Sequence, residues 1–167
     1  TGMRSGELFA LEWEKVDFEG NVIYIHQNYV PTERKNPKTK GLGPTKGGYW
    51  RTVPMNLQLR NFLLEYKAQA KGGHKDPFIP EKNFVLPRIR QWRTGNQASF
   101  LRGFSKKIGI PSICFHTLRA IFATHLYRLG KKSAEVMKVG GWVKLETMER
   151  YIRLSGVDIQ GITDGLN

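Results

Sequence analysis

The stretch HTLRAIFATHLYRLG, residues 116–130, holds no proline and carries apolar residues at helical spacing up to a closing glycine, so it predicts a helix. Leu118, Ile121, Phe122, His125 and Leu129 form one stripe, expected to face a core with His125 as a buried or half-buried structural histidine. His116, Arg119, Ala120 and Ala123 occupy another face, where two alanines leave room for something large to approach. His116 and Arg119 fall in the first turn, where free amides and the helix dipole favour an anion. A guanidinium there can bind two oxygens of a phosphate at once. The stretch therefore predicts both a packed helix and an anion site at its start.

Outward from it, the periodicity predicts helices at about 97–108, 133–139 and 145–154. Another follows Asn56, with Leu59, Phe62, Leu63, Tyr66 and Ala70 as its apolar positions and Gly72 and Gly73 ending it. Ser5 is the expected N-cap of an opening helix that ends near Trp13. Val16–Phe18, NVIYIHQ at 21–27 and YWRTVPM at 49–55 are rich in β-branched and aromatic residues and read as strands. The expected fold is α+β and mainly α, with a small three-stranded antiparallel sheet near the N-terminus. Residues 1–167 read as a single domain with 155–167 as a C-terminal tail. The segment 30–48, full of Pro, Gly and Lys, reads as a mobile hairpin connection. It is no Walker phosphate loop, because Lys46 is preceded by Thr45 and followed by Gly47. Pro77, Pro80 and Pro87 punctuate an irregular crossing.

The chain has 167 residues, 27 Lys and Arg against 14 Asp and Glu, and a net charge of +13. That balance is the footprint of a polyanion binder. Its distribution is sharper: no acid falls between Lys82 and Ala134, where Arg88, Arg90, Arg93, Arg102, Arg119 and Arg128 lie among several lysines. The pattern predicts a surface for a phosphate backbone, with a solvated basic face as the plain alternative. Cys114 stands alone, which excludes an intramolecular disulfide, offers no zinc-ligand spacing and favours a reducing, cytoplasmic setting. No run reaches the length of a membrane span and no signal peptide is visible, so no membrane is expected. The abrupt start at Thr1 reads as a fragment of something longer.

The segment MERYIRLSG, residues 148–156, poses the sharper question. Leu145, Met148 and then Tyr151 or Ile152 follow helical spacing, so Tyr151 fits a core ring as well as a nucleophile. Spacing alone leaves both open.

Four motifs together resemble the catalytic domain of the tyrosine recombinases of the phage integrase family. TGMRSGELFALEW resembles the first-arginine box, with Arg4 and then the acidic Glu7. PTKGGYWRTVPM resembles the β-hairpin lysine segment, with Lys46. HTLR resembles the His-x-x-Arg box, and GGWVKLETMERYI the Gly-His/Trp step with a tyrosine nine residues on. The resemblance runs over residues 1–153. At Ala120, where the family often has a second histidine, this chain departs from it.

The resemblance implies site-specific recombination or integration of double-stranded DNA through a 3′-phosphotyrosine intermediate, with neither metal nor cofactor. Tyr151 would attack, Arg4 and Arg119 would hold the phosphorane oxygens, and Lys46 would protonate the departing 5′-oxygen. His116 would donate to the phosphate or move the tyrosine proton, and Trp142 would offer an indole N–H. It also implies an N-terminal core-binding domain beyond this chain, a homo-tetramer on DNA for the full-length protein with the isolated piece monomeric, and a bacterial or phage source, associated with the nucleoid when bound. The tail, with Ile159, Ile162 and Leu166, would pack on a neighbouring protomer or fold back in cis. Two rivals share the basic face: a non-catalytic DNA-binding module built on SAEVMKVGG and LETMERYI as a helix-turn-helix, and a type IB topoisomerase.

Overall fold

The computed structural model describes residues 1–30, 41–76, 79–87 and 96–155. The tail beyond 155, most of the 30–48 segment, Pro77 and the cations Arg88, Arg90 and Arg93 lie outside the described residues.

The chain opens with helix α1 (Ser5–Ala10), a 3-10 turn (Trp13–Lys15) and strands β1 (Val16–Asp17), β2 (Val22–Ile25) and β3 (Gln27–Tyr29). Strands β4 (Leu42–Pro44) and β5 (Arg51–Pro54) lead to helix α2 (Leu57–Gln69) and the hairpin β6 (His74–Asp76) and β7 (Ile79–Phe84). Helices α3 (Gln97–Lys107), α4 (Phe115–Arg128), α5 (Ser133–Gly140) and α6 (Glu146–Ser155) follow.

The expected three-stranded sheet forms from β1, β2 and β5 in that order, antiparallel throughout, with Val16 and Val53 both opposite Ile23. Alternation places Ile23, Ile25 and Val53 on its buried face, where they meet Met3, Leu11, Trp13, Met55, Leu63 and Val85. The opening helix is shorter than expected. Arg4, not Ser5, takes the N-cap position, and the helix closes at Ala10. Asn56 caps α2 as expected, accepting from the Leu59 N–H at 2.8 Å.

Two features depart from the sequence reading in the strands. Within the 30–48 segment, Leu42–Pro44 pairs with β3, so part of the expected loop is ladder. The Pro-punctuated crossing contains a β-ribbon, His74–Asp76 against Ile79–Phe84. Pro80 is compatible with it because it falls at the register shift between Lys75 and Asp76, where it has no partner residue in the ladder.

Of the stripe expected to face a core on helix α4, Phe122 packs against one, but the rest of the stripe does not. Leu118, Ile121, His125 and Leu129 are exposed, while Arg119, Ala123 and Tyr127 are buried. Helices α5 and α6 pack on the alanine face, and Val136, Trp142, Met148 and Tyr151 close a second core over Ala123 and Tyr127. The two alanines thus admit a helix, not a ligand. Small residues let α6 approach, and that approach carries Tyr151 to the start of α4.

The Tyr127 hydroxyl is buried in this core with no hydrogen-bond partner among the described residues. Tyr127→Phe should therefore leave the melting temperature unchanged or raise it, since it removes an unsatisfied group worth about 1–3 kcal/mol of desolvation. A fall of several degrees in a thermal melt would contradict this.

Candidate active site

The start of α1 is organised by one carboxylate. Glu7 is 2% exposed and accepts four N–H bonds. The Arg4 backbone N–H reaches Oε2 at 2.8 Å and Arg4 Nη1 reaches Oε1 at 2.7 Å. Arg51, on the inward face of β5, donates from Nη1 at 3.0 Å and from Nη2 at 2.7 Å. Burial pushes the Glu7 carboxyl up, but the Arg51 guanidinium, followed by Arg4, holds it below the usual range. Glu7 therefore stays ionised, and its contribution to stability is lost only as the pH falls through that lowered value. It is at once a helix-end cap and an ion-pair support.

Arg4 Nη2 donates to the Gly141 carbonyl at 2.7 Å, which ties α1 to the corner after α5. That corner needs both its glycines. Gly141 is left-handed (φ 68), and a Cβ there would lie 2.8 Å from the Arg51 guanidinium. A Cβ on Gly140 would run into the Trp142 ring, so the indole folds back over bare backbone. Folded back, the indole carries the Arg119 guanidinium 3.8 Å above its centroid.

Arg119 Nη1 donates to the Gly2 carbonyl, while its Nη2 is buried without a partner among the described residues. Burial, reinforced by the nearby Arg4 charge, lowers the Arg119 pKa to about 10. The group remains a cation at neutral pH, but one the fold disfavours, and an incoming oxyanion would relieve it.

Tyr151 packs as a core ring and still brings its hydroxyl to the start of α4. Its ring is buried at 4% exposure and lies 5.8 Å from the Trp142 ring, centroid to centroid, while its hydroxyl sits 3.3 Å from His116 Nε2. His116 lies in the first turn of α4, itself exposed. The turn before β5 is closed by Gly48 N–H to the Thr45 carbonyl at 2.9 Å and by the Thr45 hydroxyl to the Tyr49 carbonyl at 2.5 Å. Lys46 projects from that turn.

All this surrounds one cleft of about 660 Å³, lined among others by Arg4, Lys46, His116, Arg119 and Trp142. The structure thus gathers five of the six candidate residues on one cleft and joins the sixth, Tyr151, to it through His116. Sequence reasoning missed Arg51. The signal was present in YWRTVPM, where Arg51 shares the inward side of a strand with Val53 and Met55.

The model of the phage integrase family matches residues 1–156. The chain belongs to that family. Among its phage integrase relatives, the integrase of Salmonella phage P22 is 26% identical over 161 residues, covering 93% of this chain and 37% of the relative. Tyrosine recombinase XerC of Herpetosiphon aurantiacus is 29% identical over 161 residues, covering 93% of this chain and 45% of the relative. Tyrosine recombinase XerD of Neisseria meningitidis is 27% identical over 168 residues, covering 97% and 50%. The chain therefore spans half or less of the length of these relatives. The fold is that of the Tn1549 transposon integrase, solved with a circular intermediate DNA (TM-score 0.71, 22% identity, 90% of this chain and 50% of that one). XerA recombinase also shares it (TM-score 0.68, 22% identity, 98% and 53%). Among the described residues no helix is long and apolar enough to cross a membrane, and no group of three or more His, Cys, Asp or Glu is placed to hold a metal ion.

Proposed function

We propose that this phage integrase family chain is the catalytic domain of a site-specific recombinase, which cleaves and rejoins double-stranded DNA through Tyr151 and acts as a tetramer on paired sites. The observation that carries the reading is the Tyr151 hydroxyl, 3.3 Å from an imidazole nitrogen, beside a cleft whose wall holds a buried guanidinium with an unpartnered N–H. A phosphodiester in that cleft would accept from Arg4 and Arg119. The Tyr151 oxygen attacks phosphorus and passes its proton towards His116. The P–O5′ bond breaks as the P–O bond to tyrosine forms, and the departing 5′-oxygen takes a proton from Lys46. A second 5′-hydroxyl reverses the step, so the bond energy is kept in the phosphotyrosine.

The helix-turn-helix rival would have α6 enter a DNA groove, but its Met148 and Tyr151 are buried against α4. The deciding experiment is incubation with nicked duplex DNA, in which the short 5′-hydroxyl fragment diffuses away and the adduct accumulates. A covalent protein–DNA band on a denaturing gel supports the reading; tight binding without a band, under conditions that saturate the DNA, counts against it. Relaxation of supercoils without paired sites would favour the topoisomerase variant.

Lys46 offers a second test. Lys46→Met should slow adduct formation about 100- to 10,000-fold, the range of general acid catalysis. A substrate with sulfur in place of the scissile 5′-oxygen leaves without a proton, so the variant should cleave it at close to the wild-type rate. An undiminished defect on that substrate would remove the general-acid role. Tyr49 and Trp50, 74% and 72% exposed on the same hairpin, give the DNA aromatic surface beside Lys46.

A further inference from the structure

Arg51 is not among the residues that line the cleft, yet it links three of the parts that shape it. Its fork takes both oxygens of Glu7, the carboxylate that also holds the Arg4 guanidinium and the Arg4 backbone. Its Nε donates to the Val139 carbonyl at 2.8 Å, at the end of α5. Its guanidinium lies against Gly141, whose carbonyl receives the other end of Arg4. It stands on β5, five residues after Lys46, opposite Ile25 in the sheet. One side chain thus joins the hairpin that carries Lys46, the helix start that carries Arg4, and the corner that carries Trp142.

A buried ion pair is weak support for stability, because an apolar side chain of similar shape often does as well. What Arg51 supplies that an apolar residue could not is direction. Three acceptors lie at fixed angles around one plane, and only a guanidinium satisfies all three at once. A lysine ammonium carries the charge without the fork. With Arg51 absent, Glu7 would still reach Arg4 but could swing, and the Val139 carbonyl would lose its partner.

We propose that Arg51 is a positioning residue of this site: through Glu7 and the Val139 carbonyl it aims the Arg4 guanidinium, and with it the Gly141–Trp142 corner, at the phosphate. The proposal rests on the strand-cleaving reading of the cleft.

The test compares wild type, Arg51→Lys, Arg51→Met, Arg4→Lys and the Arg4→Lys/Arg51→Lys double variant, well below their melting temperatures. Adduct formation on nicked duplex is followed in single turnover at saturating protein, beside duplex affinity and thermal melts. Arg51→Lys should cleave about tenfold to a hundredfold more slowly, the scale of a small misplacement of a catalytic group, with affinity for duplex nearly unchanged. Because Arg51 acts through Arg4, the double variant should be no slower than Arg4→Lys alone, whereas independent roles would multiply. Wild-type rates in Arg51→Lys, or multiplied losses in the double variant, would overturn the proposal. So would loss of the folded state in both Arg51 variants, which would make the role purely structural. If wild type itself forms no adduct, the strand-cleaving reading fails separately. The affinity for inorganic phosphate, read from the rise in melting temperature it causes, then decides Arg51: a weaker affinity in Arg51→Lys supports aiming of Arg4, and an unchanged one overturns it.

Discussion

Tyr151→Phe should abolish the covalent protein–DNA adduct completely while leaving duplex binding and the fold in place. The substitution keeps the ring that fills the space between Trp142, Met148 and Ala123, and removes only the hydroxyl. Its one hydrogen bond among the described residues, to His116 at 3.3 Å, is long and half-exposed, so the loss of stability should not exceed about 1 kcal/mol. The loss of chemistry is total because the oxygen removed is the one that must become bonded to phosphorus. Phosphate contacts from the basic face are untouched, so affinity and its steep salt dependence should match wild type. Denaturing gels report the adduct and native gels the affinity. An adduct that persists in the variant would move the nucleophile elsewhere, and affinity lost with the adduct would make Tyr151 a packing residue. Tyr127→Phe is the matched control, another buried tyrosine of the same core, and its adduct should form at the wild-type rate.

The sequence read well wherever local chemistry and tertiary structure agreed. The Asn56 cap, the β-branched runs of the sheet and the helices near 97–107, 133–140 and 146–155 all follow rules that act within a few residues. It read poorly at α4, where two faces were both plausible cores. The larger apolar face of Leu118, Ile121 and Leu129 looked like the buried one, yet the face that carries Ala120 and Ala123 is buried, because those two small residues let α6 come close. Periodicity measures which residues are apolar, and close approach depends on which are small. The β6–β7 ribbon was hidden for a related reason. Proline is a strong signal against a strand in a sheet and a weak one at a register shift in the ladder.

For the site, residue types were legible and partnerships were not. Arg4, the His116–Arg119 pair and Tyr151 lie far apart in sequence, and only the order of four motifs suggested that they converge. Arg51 shows what such motifs leave out. It is not among the residues that line the cleft with His116 and Arg119, so no argument from the reaction's own groups points to it. It could be noticed only as a charge on the wrong side of a strand.

Arg119→Gln should separate stability from activity more clearly than any other change. A donor aimed at oxygens that gain charge in the transition state is worth about 3 kcal/mol, so cleavage should fall roughly a hundredfold to a thousandfold. Stability should not fall with it. Burial, then the Arg4 charge, lowers the Arg119 pKa to about 10, below its ordinary range, so the fold holds this cation at a cost at every pH below about 10. That cost is relieved only as the pH rises past that value. A neutral amide bears none of it, and what it gives up is the bond to Gly2 and the stack on Trp142. The melting temperature of the variant at neutral pH should therefore equal or exceed that of wild type. Inorganic phosphate at about ten times its dissociation constant should stabilise wild type by about 1.4 kcal/mol, or roughly 3–6 °C. Arg119→Gln should lose most of that rise, because the buried N–H left open in the wild-type cleft is the donor that phosphate would take. A variant that melts well below wild type and still responds fully to phosphate would make Arg119 a structural cation, and the oxyanion site would have to be sought around Arg4 alone.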